Sequence, residues 1–227
     1  MSWFQLDPQS IAQRARTSTR PVPSLGASLL RGTFGFTLVS VAGFVPWAIT
    51  GKWLRGIVGE AGVYLTCMEV FIVLAGLSLH RLIIGPGSLG RFYKLFGAAF
   101  FAYAMAWIVG WMSLRGDAGS LAGLLAGTAI MGWMFARAFD AQREAVKIIV
   151  ALFVLNTAGY FIGGWFETAL PALRDPFTLG LTQATRLTLG KLMWGVCYGI
   201  GLGAGLGLAF HLCQTRARAL LKGAATS

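Results

Sequence analysis

The stretch GKLMWGVCYGIGLGAGLGLAFHLC, residues 190–213, holds one formal charge, Lys191, and that charge sits at its edge. As a helix rising 1.5 Å per residue it reaches about 36 Å, enough to cross ~30 Å of hydrocarbon. Backbone groups facing lipid have to be hydrogen-bonded within the segment, so the run is a helix. It lacks the polar alternation of a barrel strand. Gly199, Gly203 and Gly207 recur every fourth residue, with Gly201 and Gly205 on a second track. That spacing lines glycines along one helix face and lets another backbone approach where lipid offers no hydrophobic drive.

Five more apolar runs precede it, near 33–50, 57–84, 92–114, 118–139 and 146–166. The expected fold is therefore all-α, a polytopic membrane bundle of about six transmembrane helices. Composition agrees. Of 227 residues 56% are hydrophobic and 12% charged, with mean hydropathy +0.68. A soluble domain carries about twice that charge. The chain divides into a basic polar N-terminal arm (1–31), a transmembrane domain (32–214) and a basic tail (215–227).

The net charge of +11 sits mostly at the ends of the apolar runs, where anionic lipid head groups attract it. No basic surface with interleaved aromatics lies outside the spans, so nucleic acid is not an expected partner. With the N-terminus inside, thirteen Lys and Arg fall inside and six outside. The balance puts both termini on the cytoplasmic or matrix side. Trp47, Trp53, Trp111 and Trp165 then form an outer aromatic belt. In the longest outer connection, 167–189, Pro171 and Pro176 favour a short interfacial segment over a free loop. The arm has no apolar core of a signal peptide but is Arg-rich and poor in acids. A bacterial inner membrane and an organelle inner membrane both remain open.

Three groups of residues are candidates for function. The first is glycine: Gly119, Gly123 and Gly127 in span four, with Gly199, Gly203 and Gly207 in span six. These two spans are expected to pack closely, on each other or on a second chain. The second is Glu69, in the middle of span two. A carboxyl there is costly, so it is expected to face the bundle or a cavity, with Tyr103 and Asn156 as partners in an ion or proton site. The third is the histidine pair, His80 and His211, at matching depth. That is the arrangement a bis-histidine haem or a chlorophyll-type pigment requires, although no cofactor is predicted. Cys67, Cys197 and Cys213 lie in apolar runs without paired spacing, which argues against a disulfide framework and against a metal site.

The layout resembles the rhomboid superfamily. Trp53-Leu54-Arg55 is similar to that family's first-loop element. Gly116-Asp117-Ala118-Gly119 with Gly123 looks like its nucleophile motif, with Ala118 in the serine position. Tyr198 with Gly201 and Gly205 resembles its histidine stretch, with tyrosine in place of the base. The resemblance implies a non-proteolytic member, because a serine without a base has no route to activation. Three readings follow. The favoured one is a non-catalytic subunit or scaffold of a larger membrane complex, associated with other subunits or with itself. The alternatives are a small channel or transporter built on Glu69, and a haem- or pigment-binding protein.

Overall fold

The computed structural model describes residues 4–174, 177 and 180–223. Six long apolar helices cross the bundle in alternating directions: α2 (Leu25–Ala48), α3 (Gly51–Leu79), α4 (Ser88–Leu114), α5 (Gly116–Ala138), α6 (Ala145–Ala172) and α7 (Gln183–Cys213). Two short helices, α1 (Pro8–Arg16) and α8 (Thr215–Gly223), lie at the end shared by the termini. There is no strand among the described residues, and the chain is an integral membrane protein by the length and hydropathy of its helices.

The helices outrun the apolar stretches at their polar ends. α2 begins on Ser24, whose hydroxyl accepts from Ala27 N–H at 3.2 Å, and α7 begins on Thr182, which accepts from Thr185 N–H at 3.2 Å. These hydroxyls satisfy backbone donors that would otherwise have no partner. α6 continues through Pro171 to Ala172. Pro176 lies outside the described residues.

α7 is the centre of the bundle, and its two glycine tracks serve two different neighbours. A β-carbon placed on Gly199 would lie 2.6 Å from the Thr37 Cα, and one on Gly207 would lie 3.0 Å from the Leu29 Cα, so this track meets α2. A β-carbon on Gly201 would meet the Gly159 Cα at 3.0 Å, and one on Gly205 the Leu152 Cα at 3.4 Å, so that track meets α6. The α5 stripe meets α4 instead: Gly123 and Gly127 press on the backbones of Trp107 and Tyr103, at 2.7 and 2.8 Å by the same measure. The expectation that spans four and six pack closely on each other is therefore corrected: their glycines face other helices, and α5 meets α7 where Phe135 and Phe139 pack on Phe210, with centroids 5.0 and 5.7 Å apart. The reason is order in the bundle. α2 and α6 flank α7 and use both of its small-residue faces, leaving α5 to pair with its sequence neighbour α4.

The arm at 1–31 contributes to the core. Leu6 and Ile11 are buried, and α1 packs on α8, whose Ala217 is fully buried. Asp7 caps α1 by accepting from Ser10 N–H at 2.9 Å. Burial pushes the Asp7 carboxyl up, but the Ser10 hydrogen bonds and the Arg14 charge outweigh it and hold it below its ordinary value. Where α7 ends, the buried Gln214 ties that end to the turn between α3 and α4. Its Nε2 donates to the carbonyls of Leu82 (2.9 Å) and Phe210 (2.8 Å), and its Oε1 accepts from Ile84 N–H (2.8 Å).

Candidate functional site

α4 carries aromatics at Phe92, Phe96, Phe100, Tyr103, Trp107 and Trp111, spaced by three or four residues and hence along one face. At the end shared by the termini the stripe is packed solid. Phe92 stacks on Phe96 with centroids 5.0 Å apart, and Phe96 on Phe100 at 5.3 Å. Toward the other end the neighbouring helix departs. α3 packs on α4 near the termini, where Tyr93 lies over Gly76 and donates its hydroxyl to the Val73 carbonyl at 2.6 Å. Beyond that the two helices separate, and their junction is the sparsest between consecutive spans.

The space left between them is a cavity of about 290 Å³. α3 supplies Tyr64, Cys67, Met68 and Phe71 to one wall, and α4 supplies Tyr103, Ala104, Trp107 and Trp111 to the other. Phe44 and Trp47 of α2, Tyr160 of α6, and Trp194 and Tyr198 of α7 close the back. Eleven of the 17 lining residues are aromatic, so the cavity is apolar with a few hydroxyl and indole groups at fixed points. α3 bends away through Gly59, at φ +70 and ψ 179, a conformation that costs glycine little and other residues a great deal. The bend separates the stretch at 51–58 from the spanning part of α3.

The cavity's polar groups form two small networks. The Tyr103 hydroxyl accepts from Tyr198 at 3.2 Å and from Asn156 Nδ2 at 2.9 Å. Ser120 and Tyr160 share a hydrogen bond of 3.0 Å. Asn156 is fully buried, and its Oδ1 has no donor. Turning the amide over would give the Tyr103 hydrogen an acceptor, so that the bonds run in one direction from Tyr198 through Tyr103 to Asn156. Trp194 also keeps a buried indole N–H without an acceptor. Two rings of the cavity wall carry cations: Lys191 lies 4.3 Å from the Trp47 centroid and Arg115 5.0 Å from that of Trp111.

The residues expected to act together are only partly joined. Tyr103 and Asn156 meet, as just described. Glu69 does not join them. It is exposed, on the outward ridge that also carries Val73 and Leu77. The phase of α3 decides this: Tyr64, Met68 and Phe71 face inward, and the next position along from Met68 turns about 100° away. The expectation that Glu69 faces the bundle or a cavity is corrected accordingly.

His80 and His211 are both half-buried, at the end of the bundle opposite the cavity, and neither lines it. His80 Nδ1 lies 3.1 Å from the Gly76 carbonyl and 3.2 Å from that of Leu77, closing its own helix. His211 Nδ1 is buried without a partner. Among the residues of the rhomboid resemblance, Ala118 is exposed, Ser120 is held by Tyr160, and Tyr198 is held by Tyr103.

The aromatic stripe of α4 was visible in the sequence, at three- and four-residue spacing, as the signal for this site. Tyr160 had no such signal, being the one ring that α6 brings to the wall, and Trp194 shares only a single four-residue step with Tyr198 on α7. No protein-family model, no curated protein and no solved structure matches this chain.

Proposed function

We propose that the chain is a membrane protein that takes a membrane-dissolved, largely apolar molecule with a hydrogen-bond-accepting head into the cavity between α3 and α4. The observation that carries the reading is the cavity itself: some 290 Å³, mostly aromatic, in the sparsest junction between consecutive spans. Ligand sites have this character, apolar walls with a few placed polar groups, and this one is at the small end of their range. Trp194 N–H, buried without an acceptor, supplies a donor for a carbonyl head. The excess of basic residues at the end holding the termini supports placing that end on the cytoplasmic or matrix side.

Filling the space tests the reading. Ala104 lines the cavity and is only half-buried, so Ala104→Trp occupies the void without displacing core side chains. Titrating a benzoquinone with a ten-carbon tail into the purified protein is expected to quench the tryptophan fluorescence saturably. In Ala104→Trp the apparent affinity should fall by about tenfold or more, roughly 1.4 kcal/mol. Equal, non-saturating quenching in both proteins would reject the site.

A second reading, the subunit of a larger membrane complex, is favoured by one observation. Glu69 faces outward near the middle of its span, with no hydrogen bond or ion pair among the described residues. A carboxyl facing lipid is costly, and a neighbouring subunit's donor would offset that cost. The glycine stripes no longer argue for a partner, since α2, α4 and α6 cover them. Glu69→Gln is expected to leave quinone quenching unchanged while weakening a co-purifying complex. A Glu69→Gln protein that instead loses ligand binding would tie the carboxyl to the cavity.

A further inference from the structure

At the opposite end of the molecule from the aromatic cavity lies a second, polar pocket of about 160 Å³. Three arginines from separate segments converge on it: Arg20 from the link between α1 and α2, Arg31 from α2, and Arg81 from the turn after α3. Ser18 and Ser88 add hydroxyls, and Pro21 and Pro23 stiffen one wall. None of the lining residues is acidic. None of the three guanidinium groups forms an ion pair or donates a side-chain hydrogen bond among the described residues. The three guanidinium groups are exposed. Three like charges gathered in one concavity repel one another, a repulsion that an anion seated among them would offset while accepting charge-assisted hydrogen bonds. Ser88 is also the first residue of α4, which starts on Gly87 without a side-chain cap, so the positive end of that helix faces the same space.

The depth of the pocket identifies the anion. α2 starts at Leu25, α3 and its final turn end at Leu82, and α4 starts at Ser88, so the pocket sits where three spans leave the hydrocarbon. That is the level of lipid head groups. We propose that this pocket binds the phosphate group of an anionic membrane lipid, with Arg20, Arg31 and Arg81 as its ligands. The site does not depend on the aromatic cavity. It differs from general attraction of basic residues to a charged surface in being concave, in drawing on three segments, and in excluding other arginines at the same end.

Full-length protein, stripped of lipid in mild detergent, would be titrated with phosphatidylglycerol and with phosphatidylcholine of the same chains, and the bound lipid counted by native mass spectrometry. Phosphatidylglycerol should be retained preferentially. Arg20→Gln, Arg31→Gln and Arg81→Gln should each weaken it about fivefold, at roughly one surface-cation interaction apiece. Arg31→Lys, which keeps the charge, should lose less. Arg137→Gln removes the same charge at the same end, from the last turn of α5 outside the pocket, and should have no effect. Equal losses in Arg137→Gln and Arg31→Gln would overturn the proposal in favour of diffuse attraction. Displacement of the lipid by millimolar inorganic phosphate, with binding retained in its absence, would overturn the lipid assignment in favour of a soluble phosphate.

Discussion

Gly203→Leu is expected to prevent assembly of the bundle, with little monodisperse protein surviving detergent extraction. A β-carbon at this position would lie 2.5 Å from the Gly32 carbonyl oxygen and 3.0 Å from its carbon. Both obstacles are backbone in the middle of a helix, so no side-chain rotation relieves the clash. Extra carbons in a well-packed interior cost about 1–3 kcal/mol when side chains can move aside, and here α2 and α7 have to separate along their length. The seam also loses the Ser40 hydroxyl's hydrogen bond to the Gly195 carbonyl, 2.6 Å in the native packing. Gly90→Leu is the internal control. A β-carbon there meets nothing within 4 Å, and losing a helical glycine is worth up to ~1 kcal/mol in its favour. The pair is read out by extraction yield and thermal midpoint. A Gly203→Leu protein that melts with the wild type would mean that α2 and α7 are not in close contact.

Gln214→Leu is expected to destabilise the protein by about 2–4 kcal/mol, although the two side chains are similar in size. The amide is 1% exposed and makes three hydrogen bonds, two of them to the turn between α3 and α4. Leucine strands the Ile84 N–H and the Leu82 carbonyl where water does not reach, and each buried unpaired group costs about 1–3 kcal/mol. Gln214→Glu separates the two halves, because it keeps an acceptor for Ile84 and loses the amide donor. Hydrogen exchange at the Ile84 amide should therefore quicken in the leucine variant and stay slow in the glutamate variant. Unchanged exchange in both would show that the turn is held by something else.

Each of the six spans was legible from hydropathy because a helix in lipid has to be apolar along most of its length. Their ends were not, because helices continue into the head-group layer on caps such as Ser24 and Thr182 that carry no hydropathy signal. The glycine positions were legible as close-approach sites, yet their partners were not. A four-residue period says that a backbone comes near without saying which one, and only the ring order of the bundle assigns α2 and α6 to α7. Asn156 and Tyr103 were legible as intramembrane polar groups near one another, but as partners of Glu69, which the structure leaves out of their network. Glu69 was misplaced because its cost in lipid was read as a direction, when helix phase alone sets the direction. Gln214 gave no warning, being one polar residue at the end of an apolar run whose role depends on a turn more than a hundred residues away.

α1 and α8 lie against each other at one end of the bundle, and about 200 residues separate them along the chain. During synthesis α1 leaves the ribosome with its buried residues, Ile11 and Ala12, and no finished surface to bury them on. It has to wait until all six crossings are threaded and α8 has emerged. The joining of the two ends is thus the last packing event open to the chain, and without α8 the apolar face of α1 loses the helix that covers it.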